Sequence, residues 1–350
     1  MSITRWTLAI AAWFLIISAP AVAEESGSPD PLFQSNEVLE VRLTAPMGSL
    51  LLDRPFEEEL PGSLQFTNTD GEPLTVNVSV RTRGKFRRDR KNCMFPPLRL
   101  NFKNSEVKGT LFHKQNKIKL VTHCETSAAY QQTILKEYIA YRLLNVMTDI
   151  SFRVRLLKIV YVDSEGNRKD DERYAFLIEH RDRLAKRIGK SVLEISHTPS
   201  RTLNPEFMNL ISVYHYMIGN TDYSQIKGPA GGRCCHNHVL LGNENEPIWS
   251  VPYDFDQAGL VEAPYATPAP QFKLRSVQQR LYRGRCYNNE NLDQTLAAYK
   301  DKETAMMATL AEVDMASKRA RKEMTGYLES FFEGIYSDRR VTNDLLKRCI

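Results

Sequence analysis

Pro205-Glu-Phe-Met-Asn-Leu-Ile-Ser-Val-Tyr-His-Tyr-Met-Ile218 runs directly into Gly219-Asn-Thr-Asp222. Phe207, Leu210, Ile211, Tyr214, Met217 and Ile218 recur at helical spacing, so this segment reads as a helix with one apolar face. Asn204 suits its N-cap and Pro205 its first turn, while Gly219 ends it. The helix therefore delivers Asp222 on the loop beyond its C-terminus. Downstream come a Gly-rich loop, a strand over 238–241, a turn and a strand over 248–252. That last strand runs into Tyr253-Asp-Phe-Asp256. Two acidic loops thus follow two regular elements in one half of the chain.

Upstream, the pattern changes period. Residues 38–43 and 76–83 alternate apolar with polar or charged side chains, as do 98–102 and 118–121, which is the strand signature. A long helix is expected over 127–146, capped by Ser127, with Ile134, Tyr138, Tyr141 and Val146 on its stripe. Glu137 lies on the flank of that stripe. Arg142 falls near its middle, where the pattern offers no reason for a charge. Strands over 155–162 and 174–178 follow, joined by Asp163-Ser-Glu-Gly166. The chain from 291 to 347 reads as mostly helical. This order predicts an α+β fold with two lobes and a cleft between them. Residues 37–179 would form a β-rich N-lobe with one long helix, and 180–350 a mainly helical C-lobe carrying both acidic loops.

At 350 residues, with 42% hydrophobic and 25% charged side chains, the chain can bury a substantial core and does not have a disordered composition. A net charge of +5 is too small to imply nucleic-acid binding. Arg5, the apolar run from Trp6 to Ile17 and Ala21-Val22-Ala23 read as a secretory signal peptide over 1–23. The run is short of the ~20 residues of a membrane span, so no stable span is expected after cleavage. Residues 24–36 read as a linker. The implied location is secreted or periplasmic.

Six cysteines, Cys93, Cys124, Cys234, Cys235, Cys286 and Cys349, would then form three disulfides, with 15 possible connectivities. The adjacent Cys234 and Cys235 are expected to tie one loop to two places rather than to bond each other.

The residue types suit phosphoryl transfer. One Asp can orient an attacking hydroxyl, and another can hold a divalent cation that offsets phosphate charge. Asp222, Asp254 and Asp256 are the candidates, with Asn237 between the two loops as a further metal ligand. His236 and His238 flank it but lack a third ligand at metal-site spacing. Lys117 and Lys119 share the face of a strand opposite Ile118 and Leu120, where one can reach a phosphate. Seven cations crowd residues 81–91 around Gly84, a composition that attracts polyanions. Phe86 is the only aromatic among them, too little for single-stranded nucleic acid.

These stretches together resemble the CotH kinase family, secreted and spore-coat relatives of the protein-kinase-like fold. The resemblance rests on Arg81-Thr-Arg-Gly-Lys85, Pro97-Leu-Arg-Leu-Asn-Phe102, Lys119 with the helix over 128–145, and Phe176-Leu-Ile-Glu179. It continues through Met217-Ile-Gly-Asn-Thr-Asp222 and Val251-Pro-Tyr-Asp-Phe-Asp256, in the family's order. It implies a two-lobed protein-kinase-like fold and an ATP-dependent protein Ser/Thr kinase using Mg2+ or Mn2+. Asp222 would be the catalytic-loop Asp, and Asp254, Asn237 and Asp256 would bind metal. Lys119 would grip phosphate with Glu137 as its helix partner and Lys117 as runner-up. Arg83 and Gly84 would cover the nucleotide, and Glu179 would lie beside the adenine. Asn237 stands much further from Asp222 than is usual in the family, so the insert over 224–235 has to fold outward if both are to share a site. The implied partner is a protein substrate of the cell envelope or exterior. A catalytically inactive, kinase-like binding or scaffold protein of the envelope is the alternative.

Overall fold

The computed structural model describes residues 27–229 and 232–350. The expected signal peptide and the first residues of the expected linker lie outside them. Within the expected linker, the stretch around Asp30 to Phe33 is packed. Leu32 and Phe33 are buried in the first core, and Asp30 accepts from Arg183 Nε at 2.7 Å.

Seven strands form a closed barrel in the order β1-β2-β3-β4-β5-β7-β6. They are β1 (Leu39–Ala45), β2 (Leu60–Thr67), β3 (Pro73–Thr82), β4 (Leu98–Asn101), β5 (Lys117–Val121), β6 (Val154–Asp163) and β7 (Asp171–Ile178). Neighbours pair antiparallel except at the seam, where β1 runs parallel to β6 from Leu39↔Leu157 to Ala45↔Asp163. Two short helices, α1 (Met47–Leu52) and α2 (Asn104–Val107), cover loops of the barrel.

This closure corrects the expected two-lobed protein-kinase-like architecture. The strands do not form an open N-lobe sheet, because the parallel β1–β6 pairing removes both edges. The two cores are also not divided at the lobe boundary. Alternation sends Leu157, Ile159, Tyr161, Ala175 and Leu177 into the barrel, and Leu156, Phe176 and Ile178 outward. The outward set joins the long helix α3 (Ala128–Met147) and the C-terminal helices in one continuous apolar cluster that reaches Leu345.

After the barrel come α4 (Arg181–Arg187), β8 (Ser191–Val192), α5 (Pro205–Ile218), β9 (His238–Gly242), β10 (Trp249–Pro252), α6 (Leu292–Thr309) and α7 (Lys318–Ile335). Strands β10, β9 and β8 form a small antiparallel sheet beside α5. Arg142, unexplained by the helical pattern, makes a two-point contact with Glu312 at 2.7 and 3.0 Å, tying α3 to the turn after α6.

Three disulfides are present: Cys93–Cys124, Cys234–Cys235 and Cys286–Cys349. The middle one corrects the expectation for the adjacent pair. The other four cysteines meet each other, with Cα atoms 4.7 and 5.0 Å apart, leaving Cys234 only its neighbour. Such bridges belong to an oxidising compartment. Among the described residues, no helix is long and apolar enough to cross a membrane.

Candidate functional site

Helix α5 starts as its sequence indicates, with Asn204 Oδ1 accepting from the Phe207 amide at 2.8 Å. It stops at Gly219, which takes φ +66. Any Cβ there would strike the Tyr327 hydroxyl, so both conformation and space demand glycine. The loop is then built by side chains. Asn220 Oδ1 accepts from the Asp222 amide at 2.9 Å, and Arg283 donates to the carbonyls of Thr221 and Tyr223 at 3.1 and 2.9 Å. Beneath it, His215 stacks on Tyr223 with centroids 3.6 Å apart and meets His238 at 2.9 Å. His238 in turn contacts Ser250 on β10.

Asn237 lies fifteen positions beyond Asp222, yet its Nδ2 reaches the Asp222 carbonyl at 2.8 Å and Oδ2 at 3.0 Å. The two residues are thus brought together across the insert. Its ends are drawn together where the Ser224 amide donates to the His236 carbonyl and the His236 amide donates to Lys227. His236 Nε2 lies 2.7 Å from Asp222 Oδ1. That hydrogen bond raises the imidazole pKa and favours its charged form. His236 has no functional pattern in the sequence, yet it is a direct neighbour of the candidate catalytic Asp.

The second loop leaves β10. Phe255 turns into the core between Tyr141 and Tyr214, which places its two flanking aspartates around it. Asp254 adopts φ +66, uncommon for a residue with a side chain. Its amide donates to Tyr141 Oη at 2.8 Å. Asp256 is buried and accepts from Tyr265 Oη at 3.1 Å. Desolvation, then the nearby Asp254 charge, push Asp256 up to about 7.

Glu137 on α3 faces the same cluster. It is buried, and its Oε2 has no hydrogen-bond partner. Burial, then Asp256 and Asp254, hold its carboxyl well above the usual range. The cation opposing this most is Arg87, from the basic loop. Arg87 is itself buried, donates to the Thr122 carbonyl and lies 5.8 Å from the Tyr265 ring centroid. In the sequence Arg87 is one cation in a run, and nothing there marks Tyr265.

Lys119 points outward from β5, half-buried, with Nζ 4.3 Å from the Tyr253 ring centroid. Burial, then Arg83, lower its pKa to about 7, and Asp254 opposes the shift. Among the described residues it has no ion pair with Glu137, so the expected Lys119–Glu137 couple is not made. In register, Arg81 on β3 faces Arg99 on β4, and Arg99 faces Lys119. Three cations therefore cross adjacent strands on the outer face, with Arg83 beyond them. Gly84 is exposed at φ +81, the conformation that turns the loop there. Lys117 is exposed at the start of β5, opposite Asn101, and stays outside the cluster.

Glu179 is not free to meet a nucleotide. Its carboxylate accepts from Arg187 Nε at 3.0 Å and Nη2 at 2.9 Å, and from the Arg153 amide at 3.1 Å. It is a buried structural ion pair.

Among the described residues, no group of three or more His, Cys, Asp and Glu stands ready to hold a metal. Asp254, Asp256 and the Asn237 side-chain oxygen are the groups that a divalent ion could use. Mg2+ commonly takes one or two carboxylates and completes its shell from phosphate and water. No protein-family model matches the chain, and no curated protein matches it.

Proposed function

We propose that the chain is a CotH-like, ATP- and metal-dependent phosphotransferase acting on Ser or Thr of proteins in the periplasm or outside the cell. One observation carries this reading: two acidic loops distant in sequence meet a row of cations. Asn237 reaches Asp222 across fifteen positions, and Lys119 lies against the ring of Tyr253, next to Asp254. A polyanion held by Arg83, Arg99 and Lys119 would relieve the mutual repulsion of those cations. Asp222, partly exposed and aligned by His236 and Asn237, would orient the acceptor hydroxyl and take its proton. Asp254 and Asp256, with the Asn237 oxygen, would hold the divalent ion, whose chemistry is to neutralise charge on the transferred phosphoryl group. The buried Glu137 and Arg87 would set the field behind it.

The disulfides support an exported setting. A second reading, a catalytically silent binding protein of the envelope, draws on Asp222 itself, since both of its carboxylate oxygens already accept hydrogen bonds.

The test is ATP binding by the oxidised chain from Glu24 onward, with Mg2+ or Mn2+, followed by phosphate transfer to protein. Binding is expected to vanish in Asp254→Ala. Asp222→Ala is expected to keep binding and to lose transfer by about a hundredfold or more. Absence of metal-dependent binding by the folded protein would favour the silent reading.

A further inference from the structure

A cavity of about 700 Å³ opens at the end of the barrel, lined by residues distinct from those of the acidic site. That volume lies within the range of small-molecule sites. Its floor is aromatic: the Phe95 ring centroid lies 4.4 Å from His123 and 4.8 Å from Tyr161. Met47, Leu51 and Leu52 of α1 form one wall, and Cys124, bonded to Cys93, lines another. The hairpin between β6 and β7 forms the third.

Two polar atoms of the floor, His123 Nδ1 and Tyr161 Oη, are buried without a hydrogen-bond partner. Such atoms carry a desolvation cost that a bound polar group can offset. Burial pushes the His123 pKa down to about 4 and that of Tyr161 upward, so both rings are neutral near pH 7.

The mouth is different. Arg168 and Lys169 are exposed there, with no ion-pair partner among the described residues. The acids lining the cavity are engaged, and Glu125 accepts from the Met94 amide at 3.1 Å. Asp163 accepts from the amides of Gly48 and Asn167 at 3.3 and 2.9 Å, Asp170 pairs with Arg42, and Asp171 lies 2.7 Å from Arg173.

We infer that this cavity binds a small aryl carboxylate, its ring against Phe95 and its charge toward Arg168 and Lys169. The aromatic floor selects a flat apolar body, and the two exposed cations at the mouth select the anion. This inference does not depend on phosphotransfer.

The probe is 1-naphthoate, titrated calorimetrically into the oxidised full chain, with neutral 1-naphthylmethanol as control. Saturable one-to-one binding is expected, and the alcohol should bind about tenfold more weakly. The double variant Arg168→Glu/Lys169→Glu, changed only at exposed positions, should lose about tenfold for naphthoate and little for the alcohol. Met94→Trp, at an exposed lining position, should narrow the opening and weaken both. Near-ultraviolet circular dichroism checks that each variant is folded. The inference is overturned if folded wild-type protein shows no saturable binding. Equal affinity for acid and alcohol, or naphthoate affinity unchanged by the charge reversal, also overturns it.

Discussion

Glu179 and Glu137 are buried to nearly the same depth, 3% and 2% exposed, in opposite surroundings. Glu179 is closed by the forked Arg187 guanidinium, which also donates to the carbonyls of Asp149 and Ser151 at 2.9 Å. Glu137 has an oxygen with no partner and two other carboxylates near it. Equal burial therefore has two meanings. Around Glu179 every charge is answered, and the pair locks α4 to the strand end. Around Glu137 the charges are only partly answered, which leaves the cluster able to accept a cation. Unbalanced groups of this kind concentrate where ligands bind.

The strongest way to break the comparison is Glu179→Ala. It strands the Arg187 charge in the interior, and the fold should lose about 3–5 kcal/mol in urea unfolding. A loss below about 1 kcal/mol would put the pair on the footing of a surface ion pair.

The acidic cluster should show itself in pH dependence. The Asp256 pKa is raised in the fold, so between about pH 4 and 7 the native state holds a proton that the unfolded chain releases. Stability should therefore fall as pH rises through that window, by an amount on the order of 4 kcal/mol, and then level off. Denaturant midpoints measured from pH 4.5 to 7.5 should follow this slope in the wild type and flatten in Asp256→Asn. A wild-type slope of opposite sign would mean that the carboxyls are paired after all.

Lys119 shows the same imbalance with reversed charge. Its pKa is depressed, so its cost is present below pH 7 and is relieved as pH climbs from 7 toward the unfolded value near 10.4. Lys119→Met should raise stability at pH 6 by about 1 kcal/mol and, on the proposed phosphotransferase reading, weaken ATP binding. Lower stability at pH 6 would show that the contact with Tyr253 outweighs the burial cost.

The smallest effect is expected at Glu137. Burial and the neighbouring carboxylates favour its protonated form, so the isosteric Glu137→Gln should leave the unfolding free energy within about 0.5 kcal/mol of wild type. A large loss would mean that it is ionised and paired with Arg87.

Much of the site's raw material is legible in the amino-acid sequence. The helix over 205–218, its Asn204 cap and its Gly219 stop follow from local rules, and so does Asp222 on the loop beyond. What the sequence hides is equally specific. Strand β2 contains Pro61 and Gly62, which read as breakers. In the fold, Gly62 lets β1 come close, since a Cβ there would lie 2.6 Å from the Thr44 carbonyl oxygen. Arg142 waits on Glu312, far along the chain. Arg87 is hidden among equivalent cations, and Tyr265 sits in a stretch without periodicity.

The sequence by itself determined the alternating faces of the strands it marked, the apolar face of α5, where α5 begins and ends, and which polar residues stand beside it. Side-chain periodicity and capping are local, acting over a few residues. Only the tertiary structure decided that β1 meets β6 and closes a barrel in place of an open lobe. It also decided that Glu179 meets Arg187, that Lys119 does not meet Glu137, and that Cys234 bonds Cys235. Partners across long stretches of chain are selected by which faces can be buried together, and that choice is made by the whole core at once.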